Sequence, residues 1–381
     1  MKVLYLTHSE SIQGAGIALL NIVRGMVSHG IECVVIVPFH GEMEKNLVNI
    51  GVKCYISRCY NAIYPQLKGW MDYVLWPYRL GRTILTNAIA KRRLLRIVDI
   101  EHPDIIHTNT GVVRFGASVA LKKSIPHVWH IREFQTRDFF GVPLGGEKKV
   151  QQLYHSQSNH CVAITKSVFE HFSLSEPKDH VVYDGVFSKD VLIPQKYENK
   201  RYLLFVGSLQ RGKGIYDALL AFDSVAKQIP RHELWIAGND YIDINKEILN
   251  LKNASQVKYL GFRSDVYELM ANATAVLVPS YYEGFGFITA EAMLNKTIVI
   301  GRDVAGTKEQ FDNGLNSTGK EIGIRFHNME ELSRAILNVC IKPYTAFQEM
   351  TDNAYKVVME NYTIEKNTEK ILAIYEQLLN K

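Results

Sequence analysis

The strongest constraint on this chain is a pattern that runs through its first half and then starts again. Short apolar runs alternate with stretches whose apolar residues recur at helical spacing. Lys2–Thr7 reads as a strand, and Ile17–His29 as a helix with Leu19, Leu20, Val23, Met26 and Val27 spaced for one. Glu32–Pro38, Asp104–Thr108, His127–Ile131 and Cys161–Ile164 read as further strands. After residue 200 the series restarts: strand Tyr202–Val206, helix Asp217–Gln228, strands Glu233–Ala237 and Val257–Leu260, helix Asp265–Asn272. Strand Ala275–Val278, helix Ile288–Asn295 and strand Thr297–Ile300 follow. Strands alternating with helices build parallel sheets covered on both faces. Two series predict an α/β chain with two doubly wound, Rossmann-like domains.

The seam is expected near Asp184–Lys200, where Pro194 and the polar Lys196–Arg201 run mark a linker. In open sheets of this kind, ligands bind outside the carboxyl ends of the strands. Two such domains can turn both carboxyl edges toward one cleft.

Composition narrows the class. Of 381 residues, 47% are hydrophobic and 22% charged, as in a water-soluble globular protein. No apolar run reaches the roughly 18–20 residues that cross a bilayer. Val3–Thr7 is too short for a signal-peptide core and fits a first strand. Cys33, Cys54, Cys59, Cys161 and Cys340 are scattered and odd in number, which argues for reduced thiols and a cytoplasmic setting. Residues 1–200 hold 24 Lys and Arg against 17 Asp and Glu, while residues 201–381 hold 20 against 22. A basic first half suits an anionic partner.

The segment Tyr281–Met293 carries the clearest chemistry. It follows the apolar run Ala275–Ser280 and enters a helix. Glu283 and Glu291 are separated by seven intervening residues across a glycine-bearing turn, which puts one acid on the loop and the other in the helix. Carboxylates accept hydrogen bonds from sugar hydroxyls, and helix N-terminal amides bind phosphate. The pattern suits a polyhydroxylated, phosphorylated ligand; an ordinary strand–turn–helix with surface acids is the alternative.

Other motifs are weaker. The first strand is followed by Gln13-Gly14-Ala15-Gly16, glycines that permit close backbone approach without completing a dinucleotide fingerprint. Gly207-Ser208-Leu209-Gln210-Arg211-Gly212-Lys213 nearly matches a phosphate-binding P-loop. It fails where Gly214 replaces the magnesium-holding hydroxyl. Lys213 is still placed to neutralise a phosphate. In His127–Glu133, His130 is a candidate polar group at a strand end. His127 and His130 fall on opposite faces of a strand and make no metal site. No zinc or serine-nucleophile motif is present, so no metal is expected.

Residues 68–98 interleave Lys68, Arg79, Arg82, Lys91, Arg92, Arg93 and Arg96 with Trp70, Met71, Tyr73, Trp76 and Tyr78. Cations with interfacial aromatics suit an anionic membrane surface. A helical pair with a basic solvated face is the alternative. No nucleic-acid-binding motif accompanies the charge, so no nucleic-acid partner is expected.

Taken in order, these segments resemble the family 4 (group 1) retaining glycosyltransferases of GT-B fold, over nearly the whole chain. The family's Glu-x7-Glu element is Glu283 and Glu291. The resemblance implies that Glu283 contacts the donor sugar and Glu291 the ribose. The backbone of Gly284, Phe285, Gly286, Phe287 and Ile288 would meet sugar and diphosphate. The family's Gly-Arg-Leu…Lys-Gly element is Gly207-Ser208-Leu209…Lys213-Gly214, with Ser208 replacing the arginine and Arg211 as its candidate substitute. Gly14 and Gly16 match the first donor loop, and His130 the first-domain histidine. Asp184-Gly185-Val186 matches the linker element, and Ala305–Glu309 the late Gly-Gly-x-x-Glu element. Tyr362–Leu379 is similar to the final helix that crosses back to the first domain.

The resemblance implies three segments: an acceptor domain over 1–190, a donor domain over 191–361, and a terminal helix over 362–381. It implies metal-independent transfer, with retention, from a nucleoside diphosphate sugar, UDP- or GDP-linked. The acceptor would be a lipid-linked saccharide or surface polysaccharide precursor, placing the enzyme in the cytoplasm or peripherally on the inner membrane face. His130, Glu283 and Lys213 would be the catalytic residues. A nucleotide-sugar epimerase of the same fold and a non-catalytic nucleotide-sugar binder remain alternatives.

Overall fold

Strand β1 (Lys2–Leu6) lies in the interior of a seven-stranded parallel sheet because Val3–Leu6 are apolar and buried on both faces. A computed structural model describes residues 1–9, 11–12, 14–65, 69–136, 141–193 and 201–380. Gln13, Lys68 and the Pro194–Lys200 part of the expected linker lie outside them. The first sheet comprises β1, β2 (Glu32–Val37), β3 (Lys53–Ile56), β4 (Ile105–Thr108), β5 (His127–Ile131), β6 (Asn159–Ala163) and β7 (His180–Val181). Their order is β3-β2-β1-β4-β5-β6-β7. The second comprises β8 (Tyr202–Val206), β9 (Glu233–Ala237), β10 (Val257–Tyr259), β11 (Ala275–Val278), β12 (Ile298–Arg302) and β13 (Ile324–Phe326). Its order is β10-β9-β8-β11-β12-β13, again parallel. Leu277 on β11 lies level with Phe205 on β8 and Ile300 on β12, all three buried in the second core.

The chain divides into two units, Met1–Ser188 with Ile364–Lys381, and Lys189–Thr363. The final helix, Ile364–Leu379, therefore belongs to the first unit. There it packs on the Ala15–Ser28 helix, burying Ile371, Ile374 and Tyr375 in the first core. Its start passes so close to Gly185 that a Cβ there would lie 2.6 Å from the Cα of Ile364.

Residues 70–101 form one 32-residue helix, Trp70–Glu101, and not a helical pair. Pro77 lies inside it and forgoes one backbone hydrogen bond. Burial of Ala90, Leu94, Ile97 and Val98 holds its second half to the sheet. The first half leaves Trp70, Tyr73, Val74 and Tyr78 each about two-thirds exposed or more (76, 66, 69 and 67%). Among the described residues no helix is long and apolar enough to cross a membrane.

Candidate functional site

The second sheet's strand order turns at its centre. From β8 the chain proceeds to β9 and β10 on one side, then returns to β11 on the other. The crevice beyond the carboxyl ends of β8 and β11 is therefore the expected ligand position. A small cavity of about 40 Å³ lies there, lined by Gly207, Pro279, Ser280, Lys213, Glu283 and Ile288 among others.

Two loops build its polar wall. Arg211–Lys213 forms one 3-10 turn that ends at Gly214 with φ 74°. That left-handed conformation suits glycine, and a Cβ would sit 2.1 Å from the Pro279 carbonyl oxygen. The Tyr281 amide donates to the Gly212 carbonyl at 3.0 Å, joining the two loops. Lys213 Nζ then donates to both carboxylate oxygens of Glu283, at 3.0 and 2.8 Å. Both side chains are only partly exposed.

Glu283 is fixed from behind. Its carbonyl accepts the Gly306 amide at 2.8 Å, and Gln310 Nε2 donates to the carbonyls of Phe285 and Gly286 at 2.7 and 3.0 Å. The buried Phe285 ring meets Phe287 and Tyr362 edge-on, so that side chain anchors the loop within the core. Gly286, at φ 96°, opens the Phe287–Leu294 helix, and no side chain caps that end. The electropositive helix start is thus presented beside the cavity that Gly286 and Ile288 line.

Glu291 lies in the same helix, one turn beyond its start. Burial pushes its carboxyl up to about 8, although the side chain keeps some exposure. The phenol of Tyr267 is raised too, by burial and by the charge of Glu291. Gly207, Lys213, Glu283, Gly286 and Ile288 thus share one cavity. Ser208, Arg211, Gly284, Phe285, Phe287 and Glu291 do not line it. Arg211 is exposed, and its charge reaches Tyr281.

In the first unit the order reverses between β1 and β4, with β5 next to them. His130, at the end of β5, is fully buried. Its Nδ1 faces the Arg132 guanidinium at 3.3 Å. Arginine only donates, so Nδ1 accepts and the neutral ring carries its proton on Nε2. That Nε2 has no partner among the described residues. Burial, then Arg132 and His107, hold the imidazole well below its ordinary range. A neutral, buried donor of this kind can serve a sugar hydroxyl. Arg132 also donates Nε to Asn109 Oδ1 at 2.9 Å and pairs with buried Asp184. Asn109 Nδ2 in turn donates to the Ala15 carbonyl at 2.9 Å, tying the Gly14–Gly16 loop to the His130 group. Gly14 opens the first helix at φ 50°, and Gly16 lies within it.

Several residues around these sites escape sequence reasoning. Arg302 pairs with Asp217, donates to the Pro279 carbonyl at 3.1 Å and lies 4.4 Å from the centre of the Tyr281 ring. His107, 5.3 Å from His130 between ring centres, bonds the Tyr375 hydroxyl at 2.5 Å. A histidine inside the apolar run Ile105–Thr108 was the available signal.

Comparison with known proteins agrees with this architecture. The model described as Glycosyltransferase Family 4 matches residues 12–186, and that described as Glycosyl transferases group 1 matches residues 188–357. The chain belongs to the group 1, family 4 glycosyltransferases, and its two Rossmann-like units are those of the GT-B fold. It is 25% identical to an uncharacterised glycosyltransferase of Methanocaldococcus jannaschii, covering 96% of this chain and 94% of that one. It is 24% identical to the N-acetyl-alpha-D-glucosaminyl L-malate synthase of Bacillus anthracis, covering 98% and 96%. The crystal structure of Anabaena HepE in complex with UDP and glucose is similar in fold, with TM-score 0.77 and 19% identity over 99% of this chain and all of that one.

Proposed function

We propose that this glycosyltransferase moves a sugar from a nucleoside diphosphate sugar, with retention and without a metal ion, to a lipid-linked saccharide or surface polysaccharide precursor. The observation that carries the reading is the Lys213–Glu283 pair beside an uncapped helix start. Lys213, the helix amides near Phe287 and the exposed Arg211 supply positive charge for a departing diphosphate. Glu283 accepts from the sugar hydroxyls and Glu291 from the ribose. In the reaction the bond from the anomeric carbon to the diphosphate oxygen breaks. The acceptor oxygen bonds to that carbon on the same face, and its proton passes to the departing phosphate. His130 supports the donor sugar through Nε2–H. The UDP complex of HepE favours UDP as the base-bearing half. Residues 1–190 take the acceptor and 191–361 the donor. The exposed aromatics and trailing cations of the Trp70–Glu101 helix bring the enzyme to an anionic cytoplasmic leaflet.

The test is a thermal-shift series with UDP, GDP and ADP, followed by turnover of the matching sugar nucleotide. Native-state binding raises stability with the logarithm of ligand over Kd. A shift with one base and transfer that Glu283→Ala abolishes supports the reading. No shift with any base would falsify it. Ser208, in place of the family's arginine, favours a second reading as a non-catalytic binder, in which UDP binds and no sugar turns over.

A further inference from the structure

The first unit holds a pocket of about 710 Å³ that donor chemistry leaves unassigned. It lies beyond the carboxyl ends of β1, β2 and β3, where His8, Phe39 and Tyr60 follow those strands. The Trp70–Glu101 helix bounds it through Asp72, Arg79 and Arg82. Arg79 pairs with Asp72 at 2.5 Å. Arg82 has no carboxylate partner among the described residues, and its guanidinium stacks over Tyr60 at 5.0 Å and Tyr78 at 5.9 Å. Arg58 likewise lies over Phe39 at 5.2 Å and Tyr60 at 5.3 Å, with no carboxylate partner among the described residues. Among the described residues, two guanidiniums and one carboxylate line the pocket, and Arg58 adds a third guanidinium over two of its rings. Inside, half-buried His8 keeps its Nδ1 away from solvent and without a partner among the described residues. Burial pushes its imidazole down to about 4, so it stays neutral near pH 7.

We propose that this pocket takes the anionic part of the acceptor, a phosphate or diphosphate ester, held by Arg58 and Arg82 with His8 as an uncharged hydrogen-bonding partner. The proposal rests on the transferase reading above and narrows its acceptor class. The charge surplus matches a dianion better than a single carboxylate. Guanidinium forks engage tetrahedral oxyanions through paired N–H groups, and aromatic rings beneath them hold the forks in place. The same chemistry arises in a lipid-linked diphosphate and in a soluble phosphoester.

Calorimetric titration of the full chain, saturated with UDP to occupy the donor site, tests this with geranyl diphosphate, inorganic pyrophosphate and geraniol. Both diphosphates binding alike supports a soluble phosphoester, and geranyl diphosphate binding alone supports a lipid-linked one. In either case the R58Q/R82Q double variant should weaken binding tenfold or more while leaving the UDP titration unchanged. Unaltered binding in that variant, geraniol binding as well as its diphosphate, or no diphosphate binding overturns the proposal. UDP failing to bind, with geranyl diphosphate still held, sinks the donor reading and spares this one.

Discussion

Lys213 spends its charge on Glu283: one ammonium reaches both carboxylate oxygens across the cavity. A diphosphate must take over those hydrogen bonds, and a sugar must take over the carboxylate. The two residues should therefore separate when changed singly. Glu283→Gln leaves Lys213 its full charge, so UDP should bind as tightly as to wild type or more tightly, while transfer falls at least a hundredfold. Lys213→Ala removes charged hydrogen bonds worth roughly 1.5–3 kcal/mol, about 10- to 100-fold in Kd for UDP. Calorimetry on both variants reads the split, and equal losses of UDP affinity would contradict it.

Glu291 makes stability depend on pH in an unusual direction. Its folded carboxyl is pushed up to about 8 from an ordinary value near 4.5. Between those values the unfolded chain has released the proton that the folded chain keeps. The folded state thus binds more protons, and stability falls as pH rises from about 4.5 to about 8, then levels off. Glu291→Gln removes this slope and should raise Tm relative to wild type at pH 8 more than at pH 5. Parallel Tm–pH curves for the two proteins would rule it out.

Gly214 should tolerate no side chain. Its φ is 74°, and a Cβ would press on the Pro279 carbonyl at 2.1 Å. Strain and overpacking of this kind cost about 1–3 kcal/mol each. Gly214→Ala is expected to lower Tm by roughly 5 °C or more and to weaken UDP binding, because Lys213 directly precedes it. A neutral effect would show that this turn readily relaxes.

Arg132 and Asp184 form a buried ion pair within the first unit. Removing one partner strands a buried charge and costs about 3–5 kcal/mol, whereas removing both can be nearly neutral. Arg132→Met and Asp184→Leu should each destabilise strongly, and the double variant less than either. Additive losses in chemical denaturation would show that the pair is not coupled.

Much of this molecule was legible as sequence because parallel strands buried on both faces are apolar throughout. Tyr202–Val206, Glu233–Ala237 and Ala275–Val278 were read with the bounds the structure has. Strands β3, β7 and β13, four, two and three residues long, were missed because so short a run shows little measurable period. Glu283 and Lys213 stood out by motif, yet their mutual pairing is seventy residues long-range and left no local trace. Arg132 and Asp184 were both in noted segments, but only the fold brings them together. Arg302, at the end of an apolar strand, had nothing in its neighbourhood to link it to Asp217 or Tyr281.

The exposed start of the Trp70–Glu101 helix gives the membrane proposal its own test. Trp70, Tyr73 and Leu85 are 76, 66 and 63% exposed, and Lys91, Arg92, Arg93 and Arg96 follow on the same helix. Aromatics should insert at the headgroup level while the cations add about 1 kcal/mol each near anionic lipid. Co-sedimentation should therefore be stronger with phosphatidylglycerol-containing vesicles than with pure phosphatidylcholine, and should weaken as salt is raised. Replacing Trp70, Tyr73 and Leu85 with Ser should reduce vesicle binding at least tenfold. UDP binding should stay as in wild type, since the donor cavity lies in the other unit. Equal sedimentation with neutral and anionic vesicles, or no loss in the triple variant, would assign this helix a different partner.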